Sequence, residues 1–64
     1  MTSTEHLLWL IDHDPRLFQE EIAQAYAKYL RDESTDWPAV NRAIAARWSK
    51  AGLKRIKQMA WSEA

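Results

Sequence analysis

The fold is decided by residues 15–33, PRLFQEEIAQAYAKYLRDE, which we predict to form one long central helix. Asp14 precedes this stretch, and an Asp at the N-cap accepts hydrogen bonds from backbone amides that lack a partner within the helix. Pro15 then takes the first helical position, where its missing N–H group costs no hydrogen bond. Apolar side chains recur on one face at helical spacing, which predicts contact with two or more neighbouring helices. They are Phe18, Ile22, Ala25 and Tyr29, widened by Tyr26 and Leu30.

A shorter apolar helix is predicted before this stretch and a clearly periodic one after it. Thr2, Ser3 or Thr4 can cap the first helix, and Thr2 with Glu5 three residues later has the form of a capping box. Residues 12–14 are predicted to turn into the central helix. Asp36, or else Thr35, is expected to cap the third helix, with Pro38 in its first turn. One stripe then runs along the third helix at helical spacing. It consists of Trp37, Val40, Ile44, Trp48 and Ala51.

Gly52 is the only glycine, and it leaves two interpretations open. It could end the third helix in a left-handed cap. Alternatively, Ser49 is the N-cap of a fourth helix that runs to about Trp61 and tolerates Gly52 near its start. We favour the second interpretation because Leu53, Ile56 and Ala60 continue as an apolar stripe from there.

The expected fold is therefore all-α, a small three-to-four-helix orthogonal bundle. We expect one helical domain over residues 1–64, with an ordered core from about residue 4 to 61, since the chain is short and has no linker or repeat. The predicted core draws on every helix. Its members are Leu7, Leu10, Ile11, Phe18, Ile22, Tyr26, Tyr29, Val40, Ile44, Trp48, Leu53, Ile56 and Ala60.

Composition argues against several classes of function. The chain has no cysteine, and its single glycine excludes a glycine-rich phosphate loop. His6 and His13 are seven residues apart, whereas zinc-binding helices place two histidines three or four apart. We therefore expect no enzyme, no metal and no cofactor. No apolar run reaches the roughly 20 residues of a membrane-spanning helix, so a cytoplasmic (or nuclear) protein that does not enter a membrane is expected.

The net charge of zero is a cancellation between the two halves of the chain. Residues 1–36 carry −5 and residues 37–64 carry +5. This asymmetry predicts a charged partner, although neutralisation of one half by the other within the bundle would also explain it. In the fourth helix, lysines and a tryptophan fall on one side of the axis. The expected partner-binding residues are Lys50, Lys54, Lys57, Trp61 and, just before this helix, Arg47.

Our leading hypothesis is a non-catalytic protein–protein interaction module that binds an acidic and apolar partner segment. The basic C-terminal helix and the exposed aromatic residues would form the binding surface, because tryptophan is enriched among interface anchors and the chain has four. A weak homodimer, in which the acidic and basic halves pair, is a further expectation. If the C-terminal helix is ordinary solvated surface, the binding site is instead expected around Trp9 in the first helix.

The alternative is a helix-turn-helix-like DNA-binding domain that uses the fourth helix, residues 50–61. The spacing loosely resembles that motif: Ala43 would be its small residue, Trp48 the apolar turn residue, and Leu53 and Ile56 the buried positions of the recognition helix. The chain departs from the motif at the usual turn glycine, where it has Arg47. A basic helix face with an aromatic residue would suit nucleic acid as well as an acidic protein.

Overall fold

A computed structural model describes residues 2–13 and 19–63. Over these residues the chain forms three α-helices: α1 (Ser3–His13), α2 (Gln19–Lys28) and α3 (Trp37–Glu63). The all-helical prediction is thus confirmed for the described part of the chain. No helix there has the length and apolar content needed to cross a membrane.

Helix α1 is capped by Thr2, one of the three residues that the sequence offered for this position. The Glu5 amide donates to Thr2 Oγ1 at 3.1 Å, and the His6 amide donates to the Thr2 carbonyl at 2.9 Å. Thr2 therefore satisfies one amide of the first turn, as an N-cap does. The helix buries Ser3, Leu7 and Ile11 on one face. It extends to His13, so residues 12 and 13, which we expected in the turn, are helical.

Helix α2 ends at Lys28, five residues before the predicted end of the central helix at Glu33, so that prediction was wrong. After Lys28 the backbone tightens, with the Tyr29 amide bonded to the Tyr26 carbonyl at 3.1 Å. Asp32 gives the physical reason for the early end. Its Oδ1 accepts from the Ser34 amide at 2.9 Å and from Ser34 Oγ at 2.6 Å. Such local bonds offer the backbone an alternative to the helix.

The predicted beginning of the central helix, with Asp14, Pro15 and the core residue Phe18, lies outside the described residues.

Helix α3 is divided by Ser49, whose φ of 70° and ψ of 173° are not helical. Residues 37–48, here called α3a, and residues 50–63, α3b, are therefore two helical segments that meet at one residue. A straight helix of this length would extend for about 40 Å. The longest dimension of the molecule is 25 Å, so the chain bends sharply at Ser49. Ser49 Oγ accepts from the Gly52 amide at 3.4 Å, which supports the interpretation of Ser49 as an N-cap.

Two further contacts fix the start of α3 against α1. The Ala39 amide donates to Asp36 Oδ1 at 3.2 Å, so Asp36 caps α3 as predicted. The Asp36 amide itself donates to Thr4 Oγ1 at 2.9 Å. Next to it, the buried hydroxyls of Ser3 and Thr35 are hydrogen-bonded at 2.6 Å. The N-terminus of α1 thereby holds the connection between α2 and α3.

The core lies between α3 and the two shorter helices, both of which pack against it. Eight of the predicted core residues are buried: Leu7, Ile11, Ile22, Tyr26, Val40, Ile44, Ile56 and Ala60. Four others, Leu10, Tyr29, Trp48 and Leu53, are only partly buried and pack around the cluster, which corrects that part of the prediction. Ala23 is fully buried and was not predicted. Its small side chain lies next to Ile22 in α2, where helical spacing alone gave no signal.

Candidate functional site

The helical segment α3b has one buried face and one basic face. Ile56 and Ala60 are fully buried against the rest of the bundle. Lys50, Lys54 and Lys57 are exposed on a side of the segment away from this buried face. Residues at i, i+4 and i+7 lie on one side of a helix, so the fold brings these three predicted site residues together.

A groove of about 560 Å³ runs along this exposed side of α3b. Four of the five predicted binding residues line it: the three lysines and Trp61. Leu53, which we predicted to be core, packs against the core cluster and also provides partly buried apolar surface in this groove. Gln58 and Ser62 complete the lining, and the sequence pattern did not single them out. Every lining residue belongs to α3b, so the groove is open to a partner along its length. We call these lining residues the α3b face.

Trp61 is the more exposed of two large apolar side chains on the surface of the described residues, with 61% of its area accessible. It also lines a second, smaller groove of about 290 Å³, shared with Lys57 and with residues of α2, the following turn and α3a. Tyr26 is one of these residues, and its hydroxyl donates to Asn41 Oδ1 at 2.8 Å. Burial raises the pKa of Tyr26, and the hydrogen bond to Asn41 partly opposes that shift. Trp61 therefore borders two concave surfaces at once.

The lysines of the α3b face have no carboxylate partner. Considering the described residues 2–13 and 19–63, neither Lys50, Lys54 nor Lys57 forms an ion pair within 4.0 Å. Neutralisation within the bundle was the alternative explanation for the −5 and +5 halves of the chain. These three lysines are not neutralised by direct ion pairing, so their charges remain available to solvent or to a partner.

Arg47, the fifth predicted binding residue, lies elsewhere. Its Nη1 donates to the carbonyl of Ile11, and its guanidinium stacks over the Trp48 ring, 4.6 Å from the ring centroid. The carbonyl of Ile11 belongs to the last turn of α1, where carbonyl groups lack helical partners and favour positive charge. Arg47 therefore joins α1 to α3a and lines a separate depression beside Asp12. The structure does not bring it into the α3b face.

A second exposed aromatic group lies on α1. Trp9 has 49% of its area accessible, and its ring stacks on that of His13 with centroids 5.4 Å apart and planes 9° from parallel. Glu5 and Asp12 are exposed on the same side of the helix. His6 is separate from this group, because its Nδ1 is hydrogen-bonded to Tyr29 Oη at 2.8 Å. Where the structure describes the chain, no three His, Cys, Asp or Glu side chains are grouped to hold a metal ion.

The helix-turn-helix resemblance is only partly reproduced. Ile56 is buried as that motif requires, and Leu53 is partly buried. The motif uses a turn of three or four residues between its helices. Here one non-helical residue, Ser49, separates α3a from α3b.

The fold and the α3b face together define a small all-helical chain with a basic and aromatic surface on its last helical segment. Comparison with protein-family models, with curated proteins and with solved structures finds no match for this chain.

Proposed function

We propose that this chain is a non-catalytic protein-interaction module whose α3b face binds an acidic and apolar segment of a partner protein. The observation that carries the proposal is the combination found in one groove: a tryptophan with 61% of its area exposed beside Leu53 and three lysines. Exposed tryptophan contributes strongly to binding when a partner covers it. Unpaired lysines around it would attract carboxylates and select against basic partners.

The shape of the groove supports a helical or extended partner segment. All of its walls come from α3b, so a partner has to lie along this helix rather than enter a closed cavity. An amphipathic helix that lays its apolar side into a groove is a recurring mode of recognition. Apolar residues of the partner would cover Leu53 and Trp61, and its Asp or Glu residues would face Lys50, Lys54 and Lys57.

Sequence-specific DNA binding is the second candidate function. DNA binding is favoured by the three lysines of α3b, which form no ion pair and lie on one side of the segment that follows a helix break. Phosphate contacts by such lysines would give an affinity that falls steeply with salt. The apolar surface of Leu53 and Trp61 favours the protein partner instead, because a phosphate backbone offers little to cover it. The single-residue break at Ser49 also differs from the turn of known recognition helices.

Two finer expectations belong to the same proposal. We propose that the helices cross orthogonally, supported by the bend at Ser49 and by dimensions of 25 × 24 × 19 Å, which are far from those of an elongated parallel bundle. We also propose that the interaction takes place in the cytoplasm or nucleus.

An NMR titration of the ¹⁵N-labelled chain tests the proposal. The probe is an amphipathic helical peptide with leucines four residues apart, flanked by glutamates. Its control is the same peptide with glutamine at every glutamate. We expect amide shifts confined to α3b with the acidic peptide and much weaker shifts with the control. Duplex DNA, titrated at about 50 and 200 mM salt, distinguishes the alternative, since phosphate binding should nearly disappear at the higher salt.

Two tryptophan variants make this titration specific. Trp61→Ala should lower the affinity for the acidic peptide roughly thirtyfold, as expected for an anchor residue that contributes about 2 kcal/mol of binding free energy. Trp9→Ala removes the other exposed tryptophan, which does not line the α3b face of its own chain, and this variant should bind the peptide at least as tightly as the wild type. Equal affinity of the two variants would contradict the proposed site. Shifts with DNA that exceed those with the peptide would replace the leading function by the alternative.

A further inference from the structure

The outer side of α1 has the opposite charge to the α3b face and the same spacing. Glu5, Trp9 and Asp12 follow i, i+4 and i+7 along α1 and are all exposed. Lys50, Lys54 and Lys57 follow i, i+4 and i+7 along α3b and are all exposed. At roughly 100° per residue, each set of three spans only about 60° of its helix surface. Each surface also carries one exposed tryptophan, Trp9 on α1 and Trp61 on α3b.

The acids of α1 are as free of internal partners as the lysines of α3b. Within the stretches that the structure describes, neither Glu5 nor Asp12 forms a side-chain ion pair or hydrogen bond. The opposite face of α1 is fully committed to the core through Leu7 and Ile11. The outer side of α1 is thus an acidic and aromatic strip on a helix that the bundle already holds in place. Such a strip has the properties proposed above for the partner segment, without the entropic cost of folding on binding.

We propose that the partner of the α3b face is a second copy of this chain, which docks the outer side of its α1 there. This inference rests on the proposed function of the α3b face and adds the identity of the partner. Glu5 and Asp12 of one copy would face lysines of the other, and Trp9 would cover Leu53. The contact joins two different surfaces, so it is heterologous. Each added copy leaves one α1 and one α3b face available, and larger assemblies form as concentration rises unless a ring closes.

Charge reversal on each surface tests this contact in the full chain by sedimentation velocity. Glu5→Lys with Asp12→Lys makes the α1 strip basic, and Lys54→Glu with Lys57→Glu makes the α3b face acidic. The wild-type chain should self-associate, and the association should weaken on the order of tenfold when salt is raised from about 0.05 to 0.5 M. Each reversed variant alone should stay monomeric where the wild type associates. A mixture of the two variants should associate again, because each reversed surface then meets its complement.

Glu21→Lys with Glu33→Lys is the matched control, since it reverses two exposed acids outside both surfaces. It should self-associate like the wild type within about threefold. Circular dichroism checks that every variant is folded, and an unfolded variant could not be restored by mixing. Loss of association in the control, or no recovery in the mixture, would overturn the inference.

A wild-type chain that remains monomeric at low salt and high concentration would also overturn it. In that case the peptide titration separates the two proposals. Shifts in α3b with the acidic peptide would leave the proposed function standing with a different partner. A titration without amide shifts would reject both the proposed function and the inference about the second copy.

Discussion

Arg47 shows how one side chain can belong to the framework although its charge suggests a binding role. It donates to the Ile11 carbonyl and stacks on Trp48, and so connects the end of α1 to the end of α3a. We predict that Arg47→Ala lowers the free energy of unfolding by roughly 1–2 kcal/mol, since it removes a charge-assisted hydrogen bond and packing on an aromatic ring. Chemical denaturation measures this.

Arg47→Lys serves as the control because it keeps the positive charge but loses the planar guanidinium, so it should recover only part of the stability. If Arg47→Ala left stability unchanged and weakened the binding of the acidic peptide, Arg47 would belong to the binding surface after all.

Asp32 makes stability depend on pH at the connection between α2 and α3. Hydrogen bonds from the Ser34 hydroxyl and then the Ser34 amide hold the pKa of Asp32 below its ordinary value of 3.8. A carboxyl with a lowered folded-state pKa stabilises the fold at pH values above its unfolded pKa. That stability is lost as the pH falls through the folded-state pKa. Asp32→Asn should therefore be less stable than the wild type at neutral pH, and the difference should shrink below about pH 4.

Thermal unfolding between about pH 2 and 7 checks the prediction for Asp32. Glu33→Gln removes the same charge from the adjacent residue and controls for net charge. A difference between Asp32→Asn and wild type that is constant over the whole range would contradict the assigned role of Ser34.

Some contacts at the residue scale could be predicted from sequence and others could not. Thr2 and Asp36 form caps with amides three residues away, and local spacing placed each of them among two or three candidates. The bond between Ser3 and Thr35 joins residues 32 positions apart, and that between His6 and Tyr29 joins residues 23 apart. Such pairs depend on how the helices are arranged in space, which periodicity does not specify.

At the scale of elements, the break in α3 is the feature that positions the α3b face. Ser49 has a φ of 70° and a ψ of 173°, a region that is populated almost only by glycine and costs about 1–3 kcal/mol for other residues. Its hydroxyl offsets part of this cost by capping α3b.

We predict opposite effects for two substitutions of Ser49. Ser49→Gly should raise the free energy of unfolding by roughly 0.5–1 kcal/mol. The free energy gained by relieving backbone strain exceeds the sum of two costs, the loss of the cap and the greater flexibility that glycine gives the unfolded chain. Ser49→Ala should lower it by about 1 kcal/mol, because it retains the strain and removes the cap. Chemical denaturation of both variants is the measurement. A stability order with Ala above Gly would mean that the backbone at Ser49 is helical.

Gly52 is required by the same bend. A Cβ atom at this position would lie 2.4 Å from the Cβ of Trp48, too close for any real contact. Helix propensity alone predicts that Gly52→Ala stabilises by about 1 kcal/mol. We predict instead a net loss of roughly 1–2 kcal/mol, because Trp48 and the last turn of α3a have to move.

Ala51→Gly controls for propensity at the exposed neighbouring position, where it should cost about 1 kcal/mol without any crowding. An increase in the free energy of unfolding for Gly52→Ala, equal in size to the decrease for Ala51→Gly, would contradict the close approach of Trp48 to Gly52.

The sequence located the break in α3 but not its geometry. Ser49, Gly52 and the apolar stripe after them indicated a new helix, whereas a left-handed serine has no sequence signal. The end of α2 was placed too late because apolar residues continue to Leu30. The local bonds of Asp32 with Ser34 outweigh that periodicity.

At the scale of the whole molecule, hydrophobic periodicity predicted most of the core, and charge asymmetry led to the basic C-terminal helix as the proposed binding surface. Residues of one helix face, such as Ile22 and Tyr26, are buried as expected. Leu53 packs against the core but is only partly buried, because it also lines the groove on α3b. Which apolar side chain is left uncovered depends on the packing of other helices. The sequence therefore identified the basic helix side, while the fold revealed the apolar surface between its lysines.

The most direct test of the α3b face compares two triple variants for stability and for binding of the acidic amphipathic peptide. The first variant replaces Lys50, Lys54 and Lys57 with Ala. The second replaces three exposed basic residues outside the face with Ala, namely Lys28, Arg31 and Arg42. Three exposed charge pairs of about 0.2–1 kcal/mol each correspond to roughly a tenfold change in affinity. We predict that loss for the first variant only, with its free energy of unfolding within about 0.5 kcal/mol of wild type. Equal binding by both variants, whether weakened or unchanged, would contradict the assignment of the α3b face.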